Sequence, residues 1–203
     1  DAYAEENNIP QAISDYTNPR SYFHRGNAYS SKRDFLSAIS DYTKVIEADP
    51  NYAEAYLYRA DAYAEENNIP QAISDYTKAI EIDPKNADAY NNRGNVYFNQ
   101  KEFDRAISDY GKAIETSPEH PAAHNNRGNT YAAQQNFTHA ISDYTKAIEA
   151  DPKYADAYFN RAVAYAKQNN LAQAIADYTR YIELNPKDET AYYNRALNYA
   201  DRR

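Results

Sequence analysis

The chain has 203 residues, and its 42% hydrophobic content falls mainly on Ala, Ile and Tyr without Trp, Met or Cys, a palette suited to close-packed helices. A formal net charge of −8 argues against nucleic acid and anionic membrane as partners, because affinity for phosphate backbones comes largely from Lys and Arg displacing counterions. No Cys means no disulfide framework and no thiolate chemistry, in whatever compartment; apolar runs of a few residues exclude a spanning helix, and four scattered Gly exclude a Gly-rich phosphate loop.

Residues 1–17, DAYAEENNIPQAISDYT, recur letter for letter as residues 61–77. They read as a partial repeat over 1–18 that lacks the eight residues needed to complete its second helix, which points to a splice or an omission more than to a shortened duplicate. The start at Asp1, without an initiator Met or a signal peptide, suggests a piece of a longer protein. From Pro19 the sequence repeats every 34 residues, giving units 19–52, 53–86, 87–120, 121–154 and 155–188 and a partial unit or capping helix over 189–203.

Counting from the first residue of each unit, apolar residues recur at three- and four-residue intervals. Tyr stands at positions 4 and 11 (Tyr56 and Tyr63, Tyr90 and Tyr97, Tyr158 and Tyr165), with a small residue at position 8. That pattern is one face of a first helix. A polar break such as ENNIP follows, then a second helical pattern, for example Ala72, Ile73, Tyr76, Ala79 and Ile80. Pro70 suits a helix N-terminus, Asn68 could cap it, and Pro50, Pro84, Pro118, Pro152 and Pro186 mark the ends. The Tyr columns at positions 4, 11 and 24 read as core, and small residues at positions 8 and 20 let helices cross closely.

These marks resemble the tetratricopeptide repeat (TPR), with its large aromatic at position 4, small residue at 8, Tyr at 11, Ala at 20, aromatic at 24 and Pro at 32. The resemblance covers essentially the whole chain and implies an all-α fold, a right-handed α-α superhelix (solenoid) of 34-residue helix-turn-helix repeats. The runs YNNRGN, HNNRGN, YFNRAV and YYNRAL resemble the NR-containing repeats of chaperone adaptors. Position 7, usually Leu in the family, is Arg in every unit. A partly buried cation needs a partner, and position 23 offers Asp, so a ladder of ion pairs is expected: Arg59 with Asp75, Arg93 with Asp109, Arg127 with Asp143, Arg161 with Asp177.

The resemblance further implies that first helices line a concave groove. Its candidates are Asn92, Asn126, Asn160 and Asn194 at position 6, Asn27, Asn95 and Asn129 at position 9, and Tyr58, Asp61 and Phe98 beside them. Asn offers a donor and an acceptor, so a column of them suits the main chain of an extended peptide. The cations that would clamp a C-terminal carboxylate are missing at position 5, and Glu54, Asp61, Glu65 and Asp88 make the N-terminal half acidic, so an extended, neutral to basic protein segment is the expected partner. Self-association through exposed terminal repeat faces is the alternative.

Nothing points to catalysis. His120 and His124 have a metal-compatible spacing, but Pro121 lies between them and His124 stands in a Tyr column. No carboxylate pair is distinguished from the repeating outer acidic positions, so neither an enzyme, a metal nor a cofactor is expected.

Overall fold

The computed structural model describes residues 18–202, so the duplicated stretch 1–17 lies outside the described residues. Among these residues there are eleven helices and no strand. The helices are α1 (Pro19–Ser31), α2 (Phe35–Ala48), α3 (Ala53–Glu65), α4 (Ile69–Ile82), α5 (Ala87–Asn99), α6 (Phe103–Thr116), α7 (Pro121–Ala133), α8 (Phe137–Ala150), α9 (Ala155–Lys167), α10 (Leu171–Leu184) and α11 (Glu189–Asp201). None is long and apolar enough to cross a membrane. The chain divides into two compact units, one ending at Val96 and one beginning at Tyr97.

The turn inside each repeat is a Schellman motif. The residue after the C-cap takes a left-handed conformation at Arg33, Asn67, Lys101, Gln135 and Asn169, with φ of 57 to 62°. In the second repeat Asn68 N donates to Tyr63 O at 2.7 Å and Asn67 N to Ala64 O at 3.0 Å, which satisfies carbonyls that the end of α3 would leave unpaired. Second helices are then capped by side chains in some repeats: Asp34 accepts from Ser37 N and Asn136 from His139 N. Asn68 occupies the same place without accepting an amide.

Within the first unit, Leu57, Ala60, Ala72, Tyr76, Ala79, Ala89 and Val96 form one core cluster, and Phe35, Ala38, Tyr42 and Ala62 a second. In the second unit Ala140, Tyr144 and Ala164 pack together, as do Ala162, Ala174 and Tyr178. The Tyr column at position 24 is the true core, each ring at most 2% exposed. The columns at positions 4 and 11 are largely half-buried and have another task. They flank the position-7 guanidinium: Arg59 lies over Tyr56 and Tyr63, and Arg161 over Tyr158 and Tyr165, at 5.6 to 5.9 Å from the ring centroids. Close approach explains the small residues at position 8, since a Cβ on Gly26 or Gly128 would lie 2.6 or 2.7 Å from the ring of Tyr42 or Tyr144.

The guanidinium also links neighbouring repeats. A Thr at position 25 donates its hydroxyl to the carbonyl one turn back, as Thr43 does to Ile39 O at 2.7 Å, and accepts from the Arg of the next repeat. Arg59, Arg93 and Arg161 donate through Nη1 to Thr43, Thr77 and Thr145 at 2.9 Å, and Arg195 to Thr179 at 3.1 Å. Gly111 in α6 occupies the corresponding position, and a Cβ there would stand 3.9 Å from Arg127 Nη1. Gly111→Thr is expected to restore the link, remove a helix-interior Gly and stabilise the chain by about 1 kcal/mol. Urea denaturation is the check, with Gly111→Ala reporting the helix contribution alone; a Thr variant no more stable than the parent sinks the prediction.

Candidate functional site

The position-7 fork faces a carboxylate on the second helix of its own repeat. Arg25 meets Asp41 at 2.5 and 2.6 Å, Arg59 meets Asp75 at 2.6 and 2.9 Å, Arg127 meets Asp143 at 2.8 Å twice, and Arg161 meets Asp177 at 2.7 and 2.8 Å. Arg93 and Asp109 belong to different units. The carboxylates are nearly buried and the guanidiniums 15 to 24% exposed, so these groups are committed to holding the repeat. Hydrogen bonds to the carboxylates raise the Arg25 and Arg127 guanidiniums further above their ordinary range, against the opposing effect of burial.

Above this layer, position 9 meets the hydroxyl of the core Tyr. Tyr42 Oη donates to Asn27 Oδ1 and Tyr144 Oη to Asn129 Oδ1, both at 2.8 Å, while Tyr76 Oη donates to Asp61 Oδ1 at 2.5 Å. The hydroxyls spend the amide oxygens and leave the Nδ2 groups of Asn27 and Asn129 without an acceptor among the described residues. Position 6 is spent the other way, reaching back to the preceding repeat: Asn92 Nδ2 donates to Asp61 Oδ1 and Asn160 Nδ2 to Asn125 Oδ1, each at 3.0 Å. The Asn residues are therefore oriented by bonds between helices. Asn95, Asn126 and Asn194 are half-buried on the same face pattern.

The aromatic candidates divide. Tyr58 is 40% exposed and stacks on Tyr42 at 6.2 Å, in a group with Phe23. Phe98 is half-buried against Phe103, centroids 5.8 Å apart, rather than an open aromatic surface. His120 caps α7 by accepting Ala123 N at 3.1 Å, and buried His124 bonds Pro118 O at 2.9 Å through Nε2.

In the second unit these groups converge on a cleft of about 510 Å³ lined by Asn125, Asn126, Asn129, Asn160, Asp156, Asp188, Phe159, Tyr154, Tyr181 and Thr190. Asn125, from position 5, was not among the sequence candidates: that position was weighed there only for clamping cations, and it varies along the chain (Phe23, Leu57, Asn91, Phe159) where position 6 holds Asn in four successive units. It is 4% exposed, its oxygen accepts from Asn160, and its Nδ2 has no acceptor among the described residues.

Two carboxylates titrate in opposite senses. Burial, with Asp88 and Glu65 nearby, raises the Asp61 carboxyl despite the hydrogen bonds of Tyr76 and Asn92. Burial would also raise Asp143, but the bonds from Arg127 and the nearness of His124 prevail and lower it. A lowered folded value contributes stability that is present above the ordinary carboxylate range of about 4 and lost as pH falls through the folded value; a raised one works the other way. Asp143→Asn should therefore cost about 3 kcal/mol at neutral pH by stranding a guanidinium, a penalty that fades in acid. Asp61→Asn should stabilise at neutral pH, as Asn already serves at this position in Asn27 and Asn129, with the gain vanishing below about pH 4. Thermal unfolding of both variants from pH 3 to 8 reads the two signs, and parallel profiles would refute the assignment.

Family models described as TPR or tetratricopeptide repeat match residues 19–52, 41–74, 60–101, 87–120 and 125–189. No curated protein matches the chain. Among solved structures it is similar to MamA protein, at 28% identity over 83% of this chain and 92% of that one, TM-score 0.70. It is also similar to the first TPR of Spaghetti (RPAP3) bound to the HSP90 peptide SRMEEVD, at 30% identity over 57% and 91%, TM-score 0.56. YrrB, described as a TPR protein with an unusual peptide-binding site, matches at 24% identity over 95% and 99%, TM-score 0.68.

Proposed function

The chain belongs to the tetratricopeptide repeat family, and on that premise we propose that it is a protein-interaction scaffold whose first-helix Asn ladder grips the main chain of an extended, neutral to basic partner segment. The observation that carries this reading is the orientation of the amides. Tyr144 and Asn160 occupy the oxygens of Asn129 and Asn125, so both Nδ2 groups are left as donors without an acceptor among the described residues, and Asn160 keeps its oxygen as an acceptor. Donors and an acceptor held in place match the alternating carbonyls and amides of an extended strand, and pre-organisation lowers the entropy lost on binding. A peptide ligand on the Spaghetti (RPAP3) relative supports the class of partner. Its acidic sequence is not the one expected here, because the cleft of the second unit carries two carboxylates and no Lys or Arg.

The test is a peptide selected against the chain from a random library and then titrated into an Asn126→Ala/Asn160→Ala variant. Affinity should fall by about tenfold or more while the circular dichroism of the variant stays that of the parent. Unchanged affinity in an equally helical variant removes the ladder from the binding site.

A second reading, self-association, is favoured by α11. Tyr192, Tyr193, Leu197 and Tyr199 are 42 to 65% exposed, and Arg195 bonds Thr179 but meets no carboxylate among the described residues. Such a face suits a helix bearing Asp and apolar residues. Light scattering should show a mass that rises with concentration for the parent and stays monomeric for Leu197→Glu/Tyr199→Glu; a parent that remains monomeric at high concentration discards this reading.

A further inference from the structure

We propose that the cleft of the second unit is an arginine pocket: it takes the guanidinium of one Arg side chain of the extended segment, between Asp156 and Asp188 and against the Phe159 ring, while Asn125 Nδ2 holds the neighbouring main-chain carbonyl. The proposal rests on the groove reading above and adds the side chain that the groove selects.

Four observations meet here. The first is Asn125, a buried amide whose oxygen is held by Asn160 and whose Nδ2 has no acceptor among the described residues although it lines the cleft. That Nδ2 keeps contact with solvent at the cleft, and a ligand carbonyl can take the place of the water it meets there. The second is charge. Asp156, exposed in the first turn of α9, accepts no hydrogen bond among the described residues, and Asp188 already accepts from Tyr181 Oη at 2.7 Å and Thr190 N at 2.9 Å. Those bonds, the Tyr181 one foremost, hold the Asp188 carboxyl below its ordinary range, so it stays ionised beside the cleft. No cationic side chain lines the cavity to neutralise the pair.

The third is aromatic surface. Phe159 packs on Tyr178 and Tyr181, centroids 5.6 and 5.1 Å away, which fixes its ring at the cleft wall. Elsewhere in this chain guanidiniums lie over aromatic rings, as Arg161 does over Tyr158 and Arg59 over Tyr56. A planar guanidinium can stack on a ring and pair with a carboxylate at once, which a Lys ammonium does less well. The fourth is size, since about 510 Å³ is room for one long side chain and its peptide unit.

The experiment titrates the whole chain with acetyl-Gly-Ser-Arg-Ser-Gly-amide and with the same peptide carrying citrulline, which keeps the shape and loses the charge, followed by amide NMR shifts. The arginine peptide should bind about tenfold more tightly. Asp156→Asn should abolish that preference and Asp156→Glu should keep it, with shifts centred on Asn125, Asp156 and Phe159. Equal binding of the two peptides, no binding of either at millimolar concentration, or a preference untouched by Asp156→Asn overturns the pocket. A lysine peptide that matches the arginine one overturns the guanidinium assignment.

The Asn126→Ala/Asn160→Ala variant separates this inference from the ladder. If the selected peptide keeps its affinity and arginine is still preferred over citrulline, the pocket stands and the ladder falls. If it loses the selected peptide while arginine and citrulline remain equal, the ladder stands and the pocket falls.

Discussion

Everything in the repeat is arranged around a guanidinium that should be costly to bury. The position-7 Arg is planar and permanently charged, and it is held on each side: a carboxylate of its own second helix takes Nε and Nη2, a Thr of the preceding repeat takes Nη1, and Tyr rings cover its faces. Such an arrangement contributes little net stability over an apolar substitute, because desolvation offsets attraction. What it contributes is register. Only one placement of a helix satisfies the fork, the hydroxyl and the rings together, and removing one partner strands the others.

That constraint reaches the surface through the Tyr at position 24. Its ring fills the gap opposite the small residue at position 8, and its hydroxyl emerges beside position 9, where it fixes the orientation of Asn27, Asp61 or Asn129. The candidate face is thus an outgrowth of the core. An amide whose oxygen is already engaged cannot rotate to suit a ligand, so the ligand must suit it. The proposed groove would read a backbone through its Asn residues and leave selectivity to local charge and aromatic surface, as in the cleft between α7 and α9.

The face also varies along the chain. Aromatic rings gather around Tyr58 in the first unit, amides dominate the middle repeats, and in α9 and α11 position 9 becomes Val163 and Leu197. The change to Val163 removes the side chain that would receive the Tyr178 hydroxyl, whose burial raises it above its ordinary value while Asn194 acts in the opposite sense. Within each unit the first helices therefore present different chemistry from one repeat to the next.

The period, the helix pairs and the all-α class were legible in the sequence because each rests on local, repeated signals: 3.6-residue spacing of Ala, Ile and Tyr, and Pro at a fixed interval. Spacing also put the Asn residues on one helix face, while their assignment to a concave groove came from what the family resemblance implies. The left-handed turn residues were hidden, because Lys101 or Gln135 stands where Gly would have announced them and the Schellman bonds carry the strain. Hidden too were the half-buried role of the outer Tyr columns, the Thr relay with its gap at Gly111, and the free donor of Asn125. Each depends on which atoms of separate helices come within bonding distance, and a hydrogen bond across 16 or 35 residues leaves no mark in local periodicity; the residue types were given by the sequence, and only packing decided which of their atoms were spent and which were left for a partner.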